Sequence, residues 1–404
     1  MPAATHERSF AIPPDLATDM RGWRTRFLAI GAVALMLCIV GGFFNADQFY
    51  RSYIWCYMFF IGVPLGATAL LMLQYLTGGA WGIVIRRPCE AASRTLPLLA
   101  LLFIPIVIGI PHLYQWSHLD KVAHDRVLLH KQVYLNVPFF LIRAGLYFVG
   151  WILIGRLLYK WSGDQDRGDA RAAGRLAAIS GPGLIFYGFS VTFMAIDWIL
   201  SINPHWFSTI FGLLFIAGEG LSAVAFLICL LVILSNRPPL SEVLTHRHLH
   251  DVGKLLLTFV MVWAYFSFSQ LLVIWSGNLP EEIPWYLNRF AGGWQYIGVA
   301  LVLLHFALPF ALLLSRDLKR NFKLLRAVAV VVIVMRFVDL YWMVAPDFQP
   351  DFHKAQFTVS WMDFLLPIGL GGIWLAAFLW QLELRPLMPL GDPRLKEALE
   401  HGRE

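Results

Sequence analysis

Ten runs of predominantly apolar residues, each at least 18 long, recur along the whole chain. They fall at about 26–44, 53–76, 95–115, 134–158, 178–200, 208–235, 252–276, 293–315, 325–345 and 360–382. A helix needs about 20 such residues to cross the hydrocarbon core of a bilayer. Within lipid, only helices and closed barrels satisfy their own backbone. With 58% hydrophobic and 14% charged residues over 404 positions, the chain has too little polar surface for a water-soluble fold. The expectation is an all-α polytopic membrane protein with about ten transmembrane helices. Residues 1–25 form an N-terminal segment, 26–382 the membrane domain and 383–404 a tail. The first run has Arg21, Arg24 and Arg26 at its start and no small-residue cleavage site after it, so it reads as a retained helix and not a signal peptide.

The basic residues orient this array. Assigned to the segments between runs, 24 of the 32 Lys and Arg fall with the N-terminus, the loops after even-numbered runs and the C-terminus. Six fall on the other side, and Arg143 and Arg336 lie within runs. The positive-inside rule then puts both termini in the cytoplasm. The net charge of +6 belongs to this topology and is no argument for nucleic acid. Cys38, Cys56, Cys89 and Cys229 are scattered, with no C-x-x-C or C-x-x-C-H pairing. The chain itself is therefore expected to hold no c-type haem, iron–sulfur cluster or other ligated metal.

A repeat runs through the array. The fifth run ends "AIDWILSINPHW" and the ninth "FVDLYWMVAPDF". Asp197 precedes Pro204 by seven residues, and Asp339 precedes Pro346 by seven. The two runs are four apart and cross in the same direction. This suggests two parallel-related four-helix bundles, runs 2–5 (about 53–200) and 6–9 (about 208–345), with two flanking helices; carriers are often built on such repeats.

The stretch 331–348, "VVIVMRFVDLYWMVAPDF", is lipid-like except for Arg336 and Asp339. A charge at the bilayer centre costs about 2.5–3.5 kcal/mol on insertion scales, and an intramembrane ionisable group is a functional hypothesis by default. Residues i and i+3 share a helix face, so these two can pair or point into one interior seam. Other polar residues inside runs are Glu219 between two glycines, His305, Arg143, Gln270 and Asp197. On the expected topology, Asp197, Gln270 and Asp339 fall in the outer half, Arg143, Glu219 and His305 near the middle, and Gln74 and Lys254 toward the cytoplasm. That series suits a proton path through Asp197, Glu219, His305, Asp339 and Gln270, with Arg143 and Arg336 tuning the carboxyls or pairing with them. It equally suits a quinone headgroup at Arg336, Asp339 and Trp342. The plain alternative is that the arginines neutralise the carboxylates in static buried pairs. A b-type haem needs two facing axial ligands, and His305 and His112 differ in expected depth. His246 and His250 share a helix face at the start of the seventh run, a spacing that can bind a metal, and read rather as interfacial groups. The loop "NLPEEIPWYLNR", with Glu281 and Glu282, is either a rigid turn or a contact for a periplasmic partner.

The runs "GKLLLTFVMVWAYFSFSQLLVIWSGNLPEEIPWYLNR" (253–289), "GGWQ" (292–295), "HFALPFALLLSRDLKR" (305–320) and "RFVDLYWMVAP" (336–346), with "GPGLIFYGFSVTFMAIDW" (181–198) and "GGIWLAAF" (371–378), resemble a known family. It is the smaller, ActF-type membrane subunit of bacterial alternative complex III, whose wider relatives are the polysulfide-reductase and NrfD-type membrane proteins. The resemblance covers about residue 20 to the end. It implies a respiratory complex that oxidises menaquinol or ubiquinol and passes electrons to a cytochrome c or a terminal oxidase. It also implies partners: a larger NrfD-like paralogue, a multihaem cytochrome c and an iron–sulfur protein that carry the haem c and the clusters, and lipids. In such complexes the quinol site beside the iron–sulfur chain is generally placed on the larger paralogue, and a proton path is the role proposed for the smaller subunit. The expected function is a subunit of a quinol:electron-acceptor oxidoreductase with a transmembrane proton path and no catalytic redox centre of its own. The rivals are a quinol-binding subunit proper, a stand-alone secondary transporter and an inert scaffold.

Overall fold

In the computed structural model, residues 10–79, 81–349, 356–392 and 394–395 are described, and among them the chain is helical, with no strand. Ten helices are long and apolar enough to cross a membrane: α1 Pro14–Phe44, α2 Ala46–Thr77, α3 Trp81–Ile108, α4 Val137–Asp166, α5 Ala172–Ile202, α6 Phe211–Leu234, α7 His246–Gly277, α8 Trp294–Leu314, α9 Phe322–Phe348 and α10 Met362–Glu383. Each corresponds to one of the ten apolar runs. Short helices at Leu119–His124, Arg126–Lys131, Leu240–Val243, Pro284–Arg289 and Arg316–Arg320 lie between them.

Local chemistry sets several boundaries. Asn45 caps α2 by accepting from the Gln48 amide at 3.1 Å. Asn136 does the same for α4 from Phe139 at 2.9 Å, and Asn321 for α9 from Lys323 and Leu324 at 3.0 and 3.1 Å. A side-chain oxygen at this position satisfies amides that have no helical partner. The third element is segmented: Leu96–Leu101, Ile104–Ile108 and Ile110–Leu113 each carry a proline in their first turn. Proline fits a helix start and not its interior.

The third element also begins 14 residues earlier than the expected run at 95–115, because Trp81–Ser93 is a buried helix. It holds Arg86, Arg87, Cys89 and Glu90, all fully or nearly fully buried. Hydrophobicity alone places these charges outside a helix core. In the structure they neutralise one another and the tail. Arg86 donates to Asp392 Oδ2 at 2.5 Å, to Gln165 Oε1 at 2.9 Å and to the Tyr75 hydroxyl at 3.0 Å. Arg87 donates to Glu90 Oε2 at 2.6 Å and also pairs with Asp166. The Ser162 hydroxyl donates to Glu90 Oε1 at 2.5 Å. The part of the tail up to Leu395 therefore packs on its own chain, with Leu387, Met388 and Asp392 buried. The rest of the expected amphipathic tail segment, residues 393 and 396–404, lies outside the described residues.

Helices α2 and α6 are the centre of the molecule. In α2, 89% of the apolar stretch is buried, against 17% in α1, whose apolar side chains are mostly exposed. Helix α2 packs against α3, α5, α6, α9 and α10, and α6 packs against α2, α5, α7 and α9. Helix α1 packs chiefly on α10. Two crossings are backbone-close. A Cβ placed on Gly66 of α2 would lie 2.3 Å from the carbonyl oxygen of Glu219 on α6. One placed on Gly372 of α10 would lie 2.5 Å from the Phe27 carbonyl oxygen of α1. Small residues at such crossings let helices touch closely where lipid offers no hydrophobic drive for association.

Candidate functional site

The polar residues inside the long helices gather in separate clusters, not in one file. The first joins α4 and α5. Arg143 Nε and Nη2 donate to Asp197 Oδ2 and Oδ1 at 2.8 and 2.9 Å, a bidentate pair. The Tyr147 hydroxyl donates to Oδ2 at 2.8 Å. Arg143 also donates to the Tyr134 carbonyl at 3.1 Å, and its guanidinium lies 3.9 Å from the Tyr134 ring centroid and 4.3 Å from that of Phe139. Both carboxylate oxygens and the cation are thus satisfied, in the fork geometry that suits arginine.

The second cluster lies at the junction of α5, α6, α7, α8 and α9. The Tyr187 hydroxyl donates to Glu219 Oε2 at 2.7 Å. Glu219 Oε1 is buried and has no hydrogen-bond partner among the described residues. Arg336 pairs with Asp339 on the same face of α9, and Trp263 Nε1 of α7 donates to Asp339 Oδ2 at 3.0 Å. The two glycines that flank Glu219 are both filled by neighbours. A Cβ on Gly218 would lie 2.2 Å from Cζ and Nη2 of Arg336, and one on Gly220 would lie 2.2 Å from the Phe259 ring. The Arg336 guanidinium therefore sits against the α6 backbone one residue before Glu219. His305 of α8 stands edge-on to Trp263, with ring centroids 4.4 Å apart at 80°. Its imidazole is fully buried, and neither nitrogen has a hydrogen-bond partner among the described residues. It lies in a π-helical turn, Leu301–Ala307, inside α8; such turns are rare and recur at functional sites.

The sequence reading joined Asp197 to these groups in one ladder, and the structure separates them. Tyr187 and Asp197 are ten residues apart on α5, about 15 Å along a helix, and the aromatic side chains of Trp151 and Trp198 pack in that region. Gln270 also stands apart. It accepts from the Ser208 hydroxyl at 3.0 Å and lies two turns along α7 from Trp263. The three residues of the proposed quinone site lie on one helix, and Trp342, three residues after Asp339, borders a further cluster. Trp342 packs near Trp285 and Arg289, at 5.7 and 5.6 Å, two turns from Arg336.

That third cluster is one that hydrophobicity missed. Arg289, fully buried, donates to Asp347 Oδ1 and Oδ2 at 3.2 and 3.1 Å, to the Met343 carbonyl at 2.6 Å and to the Trp285 carbonyl at 2.9 Å. The readable signal was a lone arginine among six basic residues on the side poor in them. For Arg86, Arg87 and Glu90 it was the i,i+4 and i,i+3 spacing of "RRPCE". Tyr187 and Trp263 carry no signal of their own, because a buried aromatic in an apolar run looks like core.

Elsewhere, Gln74 is buried against Gly82, where a Cβ would lie 1.9 Å from its Cγ. His112 Nδ1 lies 2.7 Å from Asp47 and stacks on Tyr50. His246 Nδ1 lies 2.6 Å from the Arg320 carbonyl. Among the described residues no group of three or more His, Cys, Asp and Glu could hold a metal ion. The second cluster can do chemistry of one kind: it offers two buried carboxyls, a tyrosine hydroxyl, an imidazole and a single guanidinium within a contiguous packing unit. No family model matches the chain, and no curated protein matches it.

Proposed function

We propose that the chain is an integral membrane subunit of a respiratory quinol-oxidising complex of the alternative complex III type. Its part is to carry protons through the membrane, and the redox centres lie in its partners. The resemblance of residues 181–198, 253–289, 305–320, 336–346 and 371–378 to the ActF-type subunits supports the first half of this reading. The partners would be the larger paralogue, a multihaem cytochrome c and an iron–sulfur protein, with a terminal oxidase as a further electron acceptor. The location would be the bacterial inner membrane with both termini cytoplasmic. Helices α2–α5 and α6–α9 would be the two parallel units, and α1 and α10 the flanking pair.

The proton role is carried by one observation: Glu219 is buried with one oxygen satisfied by Tyr187 and the other unpartnered. A static structural pair satisfies its acceptors, because an unpaired buried polar group costs about 1–3 kcal/mol. Arg143–Asp197 satisfies its acceptors and is read as a clamp. Glu219, Asp339 and His305 are read as the working groups, with Arg336 as their counter-ion.

Isolation of this chain from native membranes in mild detergent tests the assignment. A reduced-minus-oxidised spectrum showing c-type haem, with an iron–sulfur subunit and a larger ten-helix paralogue by mass spectrometry, is the expected result. A chain that migrates alone without haem or iron overturns it.

A further inference from the structure

Two carboxyls and one cation occupy the junction between α6 and α9. Each carboxyl has one neutral donor fixed on a neighbouring helix: Tyr187 for Glu219 at 2.7 Å and Trp263 for Asp339 at 3.0 Å. Each donor can serve its carboxyl whether that group is ionised or not. The cation is different. Arg336 bonds Asp339, while its Cζ and Nη2 face Gly218, in contact with the backbone that leads into Glu219. Only a residue without a side chain leaves that space, and the next residue along the helix, Glu219, has its Oε1 unpartnered and its Cγ against Gly62 of α2. The other groups around the pair are Gly62 and Gly66 of α2, Phe259 of α7 and His305 of α8. Among the described residues around the pair, none supplies a second permanent cation, and the neutral His305 imidazole adds no charge.

We propose that Arg336 is a movable counter-ion shared by Asp339 and Glu219, so that the two carboxyls hold one proton between them. This rests on the reading of both groups as proton carriers. With the proton on Glu219, the guanidinium pairs with ionised Asp339, as in the structure. With the proton on Asp339, Glu219 is the carboxylate and the guanidinium turns to its Oε1. One proton passes from one carboxyl oxygen to the other, one cation moves the opposite way, and the trio keeps a net charge of zero. Arg336 is thus a positioning residue, and Gly218 leaves the space that its guanidinium occupies while paired with Asp339. Two separate buried carboxylates beside a single cation would leave one charge uncompensated, which is the costly case.

Infrared difference spectroscopy on the complete complex in membranes, with exchange into heavy water, reads the protonated-carboxyl stretch. Glu219→Gln is expected to remove one such band. Asp339→Asn is expected to remove the same band, because Arg336 then pairs with Glu219 and ionises it. Persistence of the band in Asp339→Asn overturns the exchange, since a fixed Arg336 leaves Glu219 protonated. Gly218→Ala keeps every charge and serves where those variants fail to assemble. Its added Cβ pushes the guanidinium out of its place beside Asp339 and is expected to change the response of the band to redox turnover, and a wild-type response overturns the proposal. Loss of the band in both carboxyl variants with unchanged protons moved per electron upholds the exchange and overturns the proton path.

Discussion

Tyr187 donates its hydroxyl to Glu219 Oε2 at 2.7 Å, across the α5–α6 contact, while Glu219 Oε1 has no partner. Asp197, on the same helix as Tyr187, has three donors on its carboxylate. On the function proposed above, the contrast separates two roles that look alike in sequence, a clamp and a titrating group.

Asp197→Ala removes the partner of a buried arginine. Breaking such a pair costs about 3–5 kcal/mol. The expected outcome is a large drop in thermal stability of the solubilised protein, with protons moved per electron unchanged in whatever assembles. Wild-type stability with reduced proton transfer would return Asp197 to the proton path. Arg143→Lys is also expected to destabilise, because a lysine cannot make the two parallel bonds.

His305→Phe tests the opposite balance. Both imidazole nitrogens are buried without partners, so replacing the ring by an apolar one of similar size removes an unsatisfied polar group. The expected result is equal or higher thermal stability together with lower proton transfer, the familiar cost of a working site. Loss of stability by several degrees would show that the nitrogens are satisfied in the membrane.

Gly66→Ala presses a methyl group onto the Glu219 carbonyl, 2.3 Å from where its Cβ would stand. Backbone cannot yield as a side-chain end can, and overpacking costs about 1–3 kcal/mol. A lower melting temperature is expected, with a change in the Glu219 carboxyl band. Retention of both would mean that the α2–α6 crossing is loose.

The tail contact has a pH dependence. Burial by itself would raise the pKa of the Asp392 carboxyl, but the Arg394 hydrogen bonds and the Arg86 charge outweigh it and hold the group below the usual range of an aspartate. A carboxyl depressed in the folded state contributes stability above its unfolded pKa and loses it as pH falls through the folded value. Docking of the tail should therefore hold at neutral pH and weaken below about pH 4. Limited proteolysis of the tail across that range checks this. Asp392→Ala should release the tail at pH 7, and a tail equally protected in both proteins would contradict the account.

Much of the architecture was legible because the bilayer requirement is so coarse. Ten apolar runs gave ten helices, and the buried positions of Glu219, His305, Arg336 and Asp339 followed from their place inside those runs. The start of α3 was not legible, because "RRPCE" is charged, and only the distant partners Asp166 and Asp392 make its burial tolerable. The separation of Asp197 from Glu219 was not legible either. Depth along the membrane can be counted from sequence, but which helices face each other cannot. The same gap hid the Arg289–Asp347 pair, whose members are 58 residues apart.

The proton-to-electron ratio of Glu219→Gln and Asp339→Asn, in the complete complex reconstituted in vesicles with quinol as donor, tests the central claim most directly. The account predicts that both variants lose proton translocation by a larger factor than quinol oxidation, so that the ratio falls. An unchanged ratio in both, with quinol oxidation continuing, would contradict it.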